Sequence, residues 1–290
     1  MKKLLFSLIL MSALSTASHA QFISQKFGKG LQVMGKDSSF YLKLGFRFQN
    51  LYVADWTLSD NTPGSETEYE SNFLVRRSRL KFDGWAHDPK ITYKLELGLS
   101  NRDHGNGNRD EFHNTANLIL DASVAWNFYK NFTIQFGQRK LPGNRERVIS
   151  SGNMQFVDRS RLNSRFNLDR GTGIQLKHHH TIGKNFLIRE VFSLSQGEGR
   201  NVTAGHLGGY EYTFQLEFLP FGKFASKGDY VGSAVKREQT PKLAIAASYD
   251  INKSAARNRG NLGSFLYDNN GDLATKDLNT FFLDLMFKYQ

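Results

Sequence analysis

The feature that most constrains this chain is a two-residue alternation of apolar and polar side chains. From Phe40 to Gln49 every second residue is a large hydrophobe, and the residues between are polar or small. Because successive side chains of a strand point to opposite faces, such a segment forms a strand with one apolar and one polar face. The chain is therefore expected to be all-β, with strands that separate two different environments.

The same alternation recurs in about ten segments along the chain. The polar faces carry charge near mid-strand, as in Arg77 to Asp83, and the apolar faces carry Phe, Leu and Tyr almost without interruption. A soluble β-sandwich also alternates, but charge in mid-strand favours a wet lumen over a packed core. We therefore predict a transmembrane antiparallel β-barrel. Its predicted strands fall within 40–49, 77–83, 91–100, 120–128, 132–139, 174–176, 186–196, 212–218, 243–249 and 281–289.

The connections between these strands alternate in length, as in bacterial barrels with short periplasmic turns and long extracellular loops. Tyr129 to Asn131 and Thr181 to Asn185 are short. The connection from Pro220 to Pro241 breaks the rule, because it should be short and is long. The predicted long loops are 51–72, 101–117, 142–170, 197–209 and 252–277.

The first twenty residues predict an export signal. Lys2 and Lys3 precede an apolar run from Leu4 to Leu14, and Ser18 and Ala20 are the small residues that a signal peptidase reads. The apolar run is too short to span a bilayer. We therefore expect a signal peptide at 1–20, an outer-membrane barrel domain at 21–290, and cleavage after Ala20.

Composition narrows the classes of partner. The chain has no cysteine, which excludes disulfides and thiolate sites, and it has 38 Lys and Arg against 27 Asp and Glu. Such an excess of positive charge attracts anions. Nucleic acid is the usual partner of a basic protein, but an exported chain rarely meets it. The expected partners are small anions and outer-membrane lipid, with no cofactor.

The most informative segment for function begins at Arg139, where a strand ends and a loop of nearly thirty residues follows. From Arg139 to Arg170 there are eight Lys or Arg and three Asp or Glu. In wide barrels such a loop can fold inward, and arginine at the narrow point selects anions because its planar fork pairs two oxygens of a phosphate or carboxylate. A solvated surface loop explains the composition equally well.

Two groups of cations are therefore candidate anion-binding residues. Several weak sites in series let an anion pass, whereas one tight site would trap it. The first group, which would line the wall, is Arg77, Arg79 and Lys81. The second group, which would form the constriction or its approach, is Arg139, Lys140, Arg145, Arg147, Arg159 and Arg161.

The same region contains a specific run of motifs, and further stretches accompany it. The run consists of Gly137-Gln138, Lys140, Pro142, Arg145-Glu146, Phe156 and Arg159-Ser160, and the further stretches are 76–80, 169–173 and 220–222. These motifs resemble the phosphate-selective porin O/P family of outer-membrane porins. The resemblance implies passive diffusion of small anions, phosphate or polyphosphate, with no enzymatic activity. The expected assembly is a homotrimer.

Two departures from the family pattern matter. Gly143-Asn144 follows Pro142 where the family often has Phe and Ser, and the chain stops at Gln290 after about ten strands, where family members have sixteen. Either the barrel is smaller or the chain is incomplete at its C-terminus. Because a lumen that holds a loop of thirty residues needs a wide barrel, we expect a part of a sixteen-stranded barrel.

Other chemistries find less support. The tract His178 to His180 cannot converge on a metal, because adjacent strand residues point to opposite faces, so no metal site is expected. Asp268 to Asp272 has a misplaced glycine for a calcium loop and no later bidentate glutamate. Ser150, His113 and Asp121 share no catalytic spacing. The alternatives that stay open are a barrel enzyme and an adhesion or binding barrel without channel activity.

Overall fold

A computed structural model describes residues 20–24, 28–58, 67–100, 103, 117–202, 209–258 and 262–290. The predicted signal peptide, apart from Ala20, lies outside the described residues, as does most of the predicted loop 101–117. None of the helices in the described part of the chain combines the length and the apolar composition that crossing a membrane requires.

Twelve strands form one antiparallel sheet, in which each strand pairs with the next along the chain. The expected all-β antiparallel fold is thereby confirmed. The ten predicted strands correspond to β3–β12, and β1 and β2 are additional because five-residue strands are too short to show a clear alternation. The strands are β1 Ala20–Ser24, β2 Leu31–Gly35, β3 Phe40–Leu58, β4 Thr67–Ala86, β5 Asp88–Gly98, β6 Ile119–Tyr129, β7 Phe132–Lys140, β8 Arg170–Ile182, β9 Phe186–Ser195, β10 Glu211–Leu219, β11 Lys242–Ala255 and β12 Lys276–Lys288.

Strands β3 and β4 extend far beyond their predicted ends. The prediction of a loop at 51–72 is wrong for most of that range, because β3 runs to Leu58 and β4 starts at Thr67. Aromatic residues pair across the extension, with the rings of Trp56 and Tyr69 5.2 Å apart between centroids. Such cross-strand aromatic pairs stabilise a hairpin.

The sheet curls around the β7–β8 connection, residues 141–169, which we call the loop insert. Arg47 of β3 donates to Ser151 Oγ at 2.6 Å, and the amide of Arg145 donates to Asp284 Oδ2 of β12 at 3.0 Å. In a flat sheet the nine spacings from β3 to β12 would cover about 43 Å. The six residue steps from Arg145 to Ser151 span at most about 20 Å. One short segment reaches both strands only because the sheet is strongly curved.

Burial in this sheet is the reverse of burial in a soluble protein. On the outer face, Phe73 and Leu283 are 83% and 70% exposed. On the inner face, the polar residues Asp121, Thr213 and Asp250 are at most 1% exposed. Apolar side chains therefore point outward and polar side chains inward, as the alternation in the sequence predicts.

The two ends of the sheet differ in the length of their connections. The turns Lys130–Asn131 and Gly183–Asn185 lie at one end, which we call the short-turn end. The loop insert lies at the opposite end. The β10–β11 connection, residues 220–241, belongs to the short-turn end and is long, as predicted; it contains a 3-10 helix, Ala225–Tyr230. We call it the turn insert.

Candidate functional site

The loop insert and the turn insert both fold into the interior of the curled sheet, where they touch. The loop insert carries two short helices, α1 Arg145–Val148 and α2 Arg161–Arg165. The amide of Gly232 in the turn insert donates to the carbonyl of Asn153 in the loop insert at 2.6 Å. Of the two possibilities for the arginine-rich loop, the structure therefore supports the inward one.

The turn insert is fixed to the wall at several points. Phe224 is buried against inward apolar residues of β9, β10 and β11. Glu238 accepts the amide of Ala225 at 2.9 Å. Lys288 of β12 donates to three carbonyls of the insert, at 2.7 to 2.9 Å. These contacts hold the turn insert in the interior of the curled sheet.

A cavity of about 970 Å³ lies between the inserts and the wall. Fourteen Lys and Arg line it against five Asp and Glu, so its surface is strongly basic. The acidic lining residues are Glu96, Asp103, Asp121, Asp169 and Asp229. The basic lining residues are Arg76, Arg77, Arg79, Lys94, Arg139, Lys140, Arg147, Arg159, Arg170, Lys177, Arg189, Arg200, Lys223 and Lys227.

Arg77 anchors the loop insert to β4. It is 3% exposed and donates to the Val157 carbonyl and to Asp158, both at 2.9 Å. A β-bulge opposite Gln49 leaves Arg76 as the extra residue, which lets two consecutive arginines reach the same carboxylate. Burial alone would raise the pKa of Asp158, but the hydrogen bonds and charges of Arg76 and Arg77 outweigh it and hold that pKa below its usual value.

A row of alternating charges crosses the wall from β4 to the loop insert. Most of its carboxylates bridge two cations, so the row keeps an excess of positive charge. Its pairs are Lys81–Glu96 and Lys94–Glu96 at 3.1 Å, Lys94–Asp121, Arg170–Asp121 at 2.7 Å, Arg170–Asp169 at 3.2 Å, Arg147–Asp169 at 2.5 Å and Arg79–Asp103. Burial opposes ionisation of Asp169, but the charges of Arg147 and Arg170 hold its pKa well below the usual range.

Arg145 joins both inserts to the far wall. It is 6% exposed, forms an ion pair with Glu217 of β10, and donates to the Asp229 carbonyl at 3.1 Å. Arg189 of β9 bridges Glu217 at 2.7 Å and Asp229 at 2.5 Å. The guanidinium groups of Arg145 and Arg189 each lie 5.8 Å from the Tyr230 ring centroid, and burial followed by the charge of Glu217 raises the pKa of Tyr230 to about 12.

Lys140 and Arg159 bind backbone carbonyls around α1. Lys140 Nζ donates to the carbonyls of Arg147, Val148 and Ile149 at 2.9 to 3.1 Å. Arg159 donates to the Ile149 carbonyl at 2.8 Å. These carbonyls lie at the negative end of the short helix and have no helical partner. Burial and then the charge of Arg147 lower the pKa of Arg159 to about 10. Within the described chain, neither Lys140 nor Arg159 has a carboxylate at ion-pair distance.

The structure places six of the nine predicted site residues in the cavity lining. Arg139 lines it with no carboxylate at ion-pair distance in the described part of the chain. Lys81 and Arg145 are held in the ion pairs above and do not line it. Arg161, the first residue of α2, is exposed and lies outside the lining. The six lining residues are Arg77, Arg79, Arg139, Lys140, Arg147 and Arg159.

Several lining cations were not predicted. Lys94 belongs to a recognised polar strand face and could have been found from the alternation alone. Arg189 was missed because β9 has charged residues in both registers; Arg189 points inward and Glu190 outward. The other lining cations that were not predicted are Arg76, Arg170, Lys177, Arg200, Lys223 and Lys227.

Comparison with known proteins identifies the family. A family model described as phosphate-selective porin O and P matches residues 43–268, which include both inserts. A protein described as an uncharacterized protein of Aquifex aeolicus (strain VF5) is 25% identical over 185 residues, which cover 58% of this chain and 44% of that relative. The chain thus spans less than half the length of this curated relative. Because the family match covers well over half of the chain, the protein belongs to the phosphate-selective porin O and P family.

Proposed function

We propose that this chain forms an outer-membrane pore for the passive diffusion of small anions, with phosphate or polyphosphate as the preferred solute. The observation that carries the proposal is the cavity between the inserts and the wall, which fourteen cations and five carboxylates line. A cleft lined mainly by one sign of charge, with walls of low dielectric constant, concentrates ions of the opposite sign.

The cations that lack a carboxylate at ion-pair distance in the described chain extend from one end of the cavity to the other. Arg200 follows β9 at the long-loop end, Arg139 and Lys177 lie on the wall, and Lys223 belongs to the turn insert. A series of weak sites allows an anion to move from one cation to the next. The planar fork of Arg139 pairs two phosphate oxygens, which a lysine cannot do.

The proposal includes the export signal at 1–20, the homotrimer and a closed barrel. The exposed apolar outer face fits contact with lipid. The sheet order is linear, and within the described residues the outer edge of β12 has no strand partner. Unpaired backbone groups are costly in lipid. We therefore propose that this edge is paired in the membrane, which closes the barrel.

Planar-bilayer recording of the protein purified from its native membrane tests this function. In a KCl gradient the reversal potential is expected to show anion selectivity, and millimolar phosphate is expected to reduce the chloride current. A barrel enzyme or an adhesion barrel would give no conductance. Cation selectivity, or a chloride current that phosphate leaves unchanged, would contradict the proposal.

A further inference from the structure

His178 and His180 lie on the outer face of β8 and share the carboxylate of Glu190. Glu190 stands directly opposite His178 in the β8–β9 register. His178 Nδ1 lies 2.7 Å from Glu190 Oε2, and His180 Nδ1 lies 3.5 Å from Glu190 Oε1. One potential ligand atom from each of the three residues lies within 4.8 Å of the others.

The histidine tract is divided between the two faces of the sheet. His179 alternates with the inward residues Gln175 and Lys177 of β8, whereas His178 and His180 share the face of the outward residue Leu176. The three adjacent histidines therefore do not converge on one point. The third ligand comes from the neighbouring strand, and that pairing is visible only once the register is known.

The surroundings of this cluster are apolar. The Phe132 ring stacks on the His178 ring with 4.1 Å between centroids, and Leu176 and Phe192 flank the strands on the same face. A carboxylate on a face that meets lipid is unfavourable unless it is close to the interface or its charge is balanced. His180 Nδ1 is buried and makes no hydrogen bond. One nitrogen of the cluster is therefore available to bind an ion.

We propose that His178, His180 and Glu190 bind a divalent transition-metal ion of the zinc type on the outer face near the short-turn end. Zinc takes nitrogen and oxygen ligands at roughly 2.0–2.2 Å in a tetrahedron, which places the ligand atoms about 3.4 Å apart. The 3.5 Å separation of His180 Nδ1 and Glu190 Oε1 lies close to that value. The 2.7 Å separation of His178 Nδ1 and Glu190 Oε2 is a hydrogen bond, which has to open by about 0.7 Å when the ion binds. Imidazole ligands favour such an ion over calcium or magnesium, which prefer oxygen.

The protein does not enclose the site on one side. The side chains of His178, His180 and Glu190 are 27%, 40% and 39% exposed. Three protein ligands leave the fourth tetrahedral position to water. A bound ion neutralises the carboxylate and links β8 to β9. The neighbouring residue Arg189 points to the inner face, where it binds Asp229 of the turn insert. Metal binding to the folded state is therefore expected to stabilise this hairpin.

Metal titration of the intact protein in detergent, after chelation, tests the site. Co²⁺ is expected to give the visible absorption of a tetrahedral centre at one ion per chain, and Zn²⁺ is expected to displace it. His178→Gln, His180→Gln and Glu190→Gln are each expected to weaken Zn²⁺ binding by more than about 100-fold, because loss of an outer-shell partner alone costs about 10- to 100-fold. His179→Gln is the matched control and is expected to bind as the wild type does.

Several results would overturn the proposal. These are the absence of a tetrahedral Co²⁺ spectrum, half an ion per chain, or an equal loss of affinity in His179→Gln. X-ray absorption at the zinc edge of the wild-type protein needs no variant. It is expected to show two imidazole nitrogens in the first shell, and a shell of oxygens alone would refute the site even if the glutamine variants fail to fold.

Discussion

The amide of Gly232 donates a hydrogen bond to the carbonyl oxygen of Asn153, and this 2.6 Å contact joins two segments that enter the sheet from opposite ends. A Cβ at Gly232 would lie 3.0 Å from the Gln155 amide nitrogen and 3.2 Å from the Asn153 oxygen. Glycine is therefore the residue that permits the approach. The width of the cavity depends on both inserts together.

Gly232→Leu is expected to separate the two inserts and to raise the single-channel conductance. The added side chain cannot fit between Gln155 and Asn153, and part of the loop insert has to move away from the turn insert. Val235→Leu is the matched control, because Val235 belongs to the same insert and is 87% exposed. Equal conductance in the two variants would show that the contact does not set the pore width.

Replacing Arg139 and Lys177 together with Gln is expected to move the reversal potential in a KCl gradient toward cations. Both residues line the cavity, and charges farther away than about 8 Å are largely screened at physiological salt. Arg139→Lys is expected to keep anion selectivity and to weaken the phosphate block, since lysine lacks the planar fork. Arg165→Gln, on the exposed side of α2, is the control. An unchanged potential in the double variant would place selectivity elsewhere.

Arg145→Ala is expected to lower the free energy of unfolding by roughly 3–5 kcal/mol, because it leaves the buried carboxylate of Glu217 without one of its cations. Urea titration in lipid vesicles, followed by tryptophan fluorescence, measures this change. Lys253→Ala breaks an ion pair with Asp277 in which both side chains are about half exposed. Exposed pairs contribute little, and this control should unfold as the wild type does. A small effect of Arg145→Ala would mean that Arg189 alone satisfies Glu217.

The anchor between Asp158 and β4 is expected to survive acidification further than an ordinary aspartate contact. The pKa of Asp158 is lowered in the folded protein. The contribution of its ion pairs to stability is therefore complete above the unfolded pKa of about 3.9, and it is lost as pH falls toward the folded pKa. Asp158→Asn should therefore show noisier single-channel current than the wild type from neutral pH down to about pH 4. The current noise of the variant and of the wild type should become equal only below about pH 4. Convergence already at pH 5 would contradict the lowered pKa.

The alternation of residues predicts the faces of the sheet because a strand has a fixed period of two. It does not predict pairing, which arises from register between strands. The bulge that brings Arg76 beside Arg77 depends on a one-residue mismatch with β3. The cross-strand neighbours of Glu190 depend in the same way on the β8–β9 register. Both sets of contacts were therefore invisible in the sequence.

The candidate site, too, could be predicted from the sequence only in part. The concentration of cations after Arg139 identified the loop insert, but composition does not reveal which charges are compensated. Arg145 is held by Glu217, 72 residues away in the chain, and Arg147 by Asp169 at the other end of the loop insert. Arg139 has no such partner among the residues that the structure describes. The proposed selectivity rests on cations such as Arg139, which only the folded contacts identify.

The enclosed position of the loop insert couples its placement to the closing of the sheet. Arg145 contacts β10 through its side chain and β12 through its amide, so these contacts form only when the loop and both strands are in place. If the later strands associated first, Glu217 and Asp284 would be sealed behind an apolar shell without their partner. We therefore expect the loop and the last strands to reach their native positions in one cooperative step rather than hairpin by hairpin.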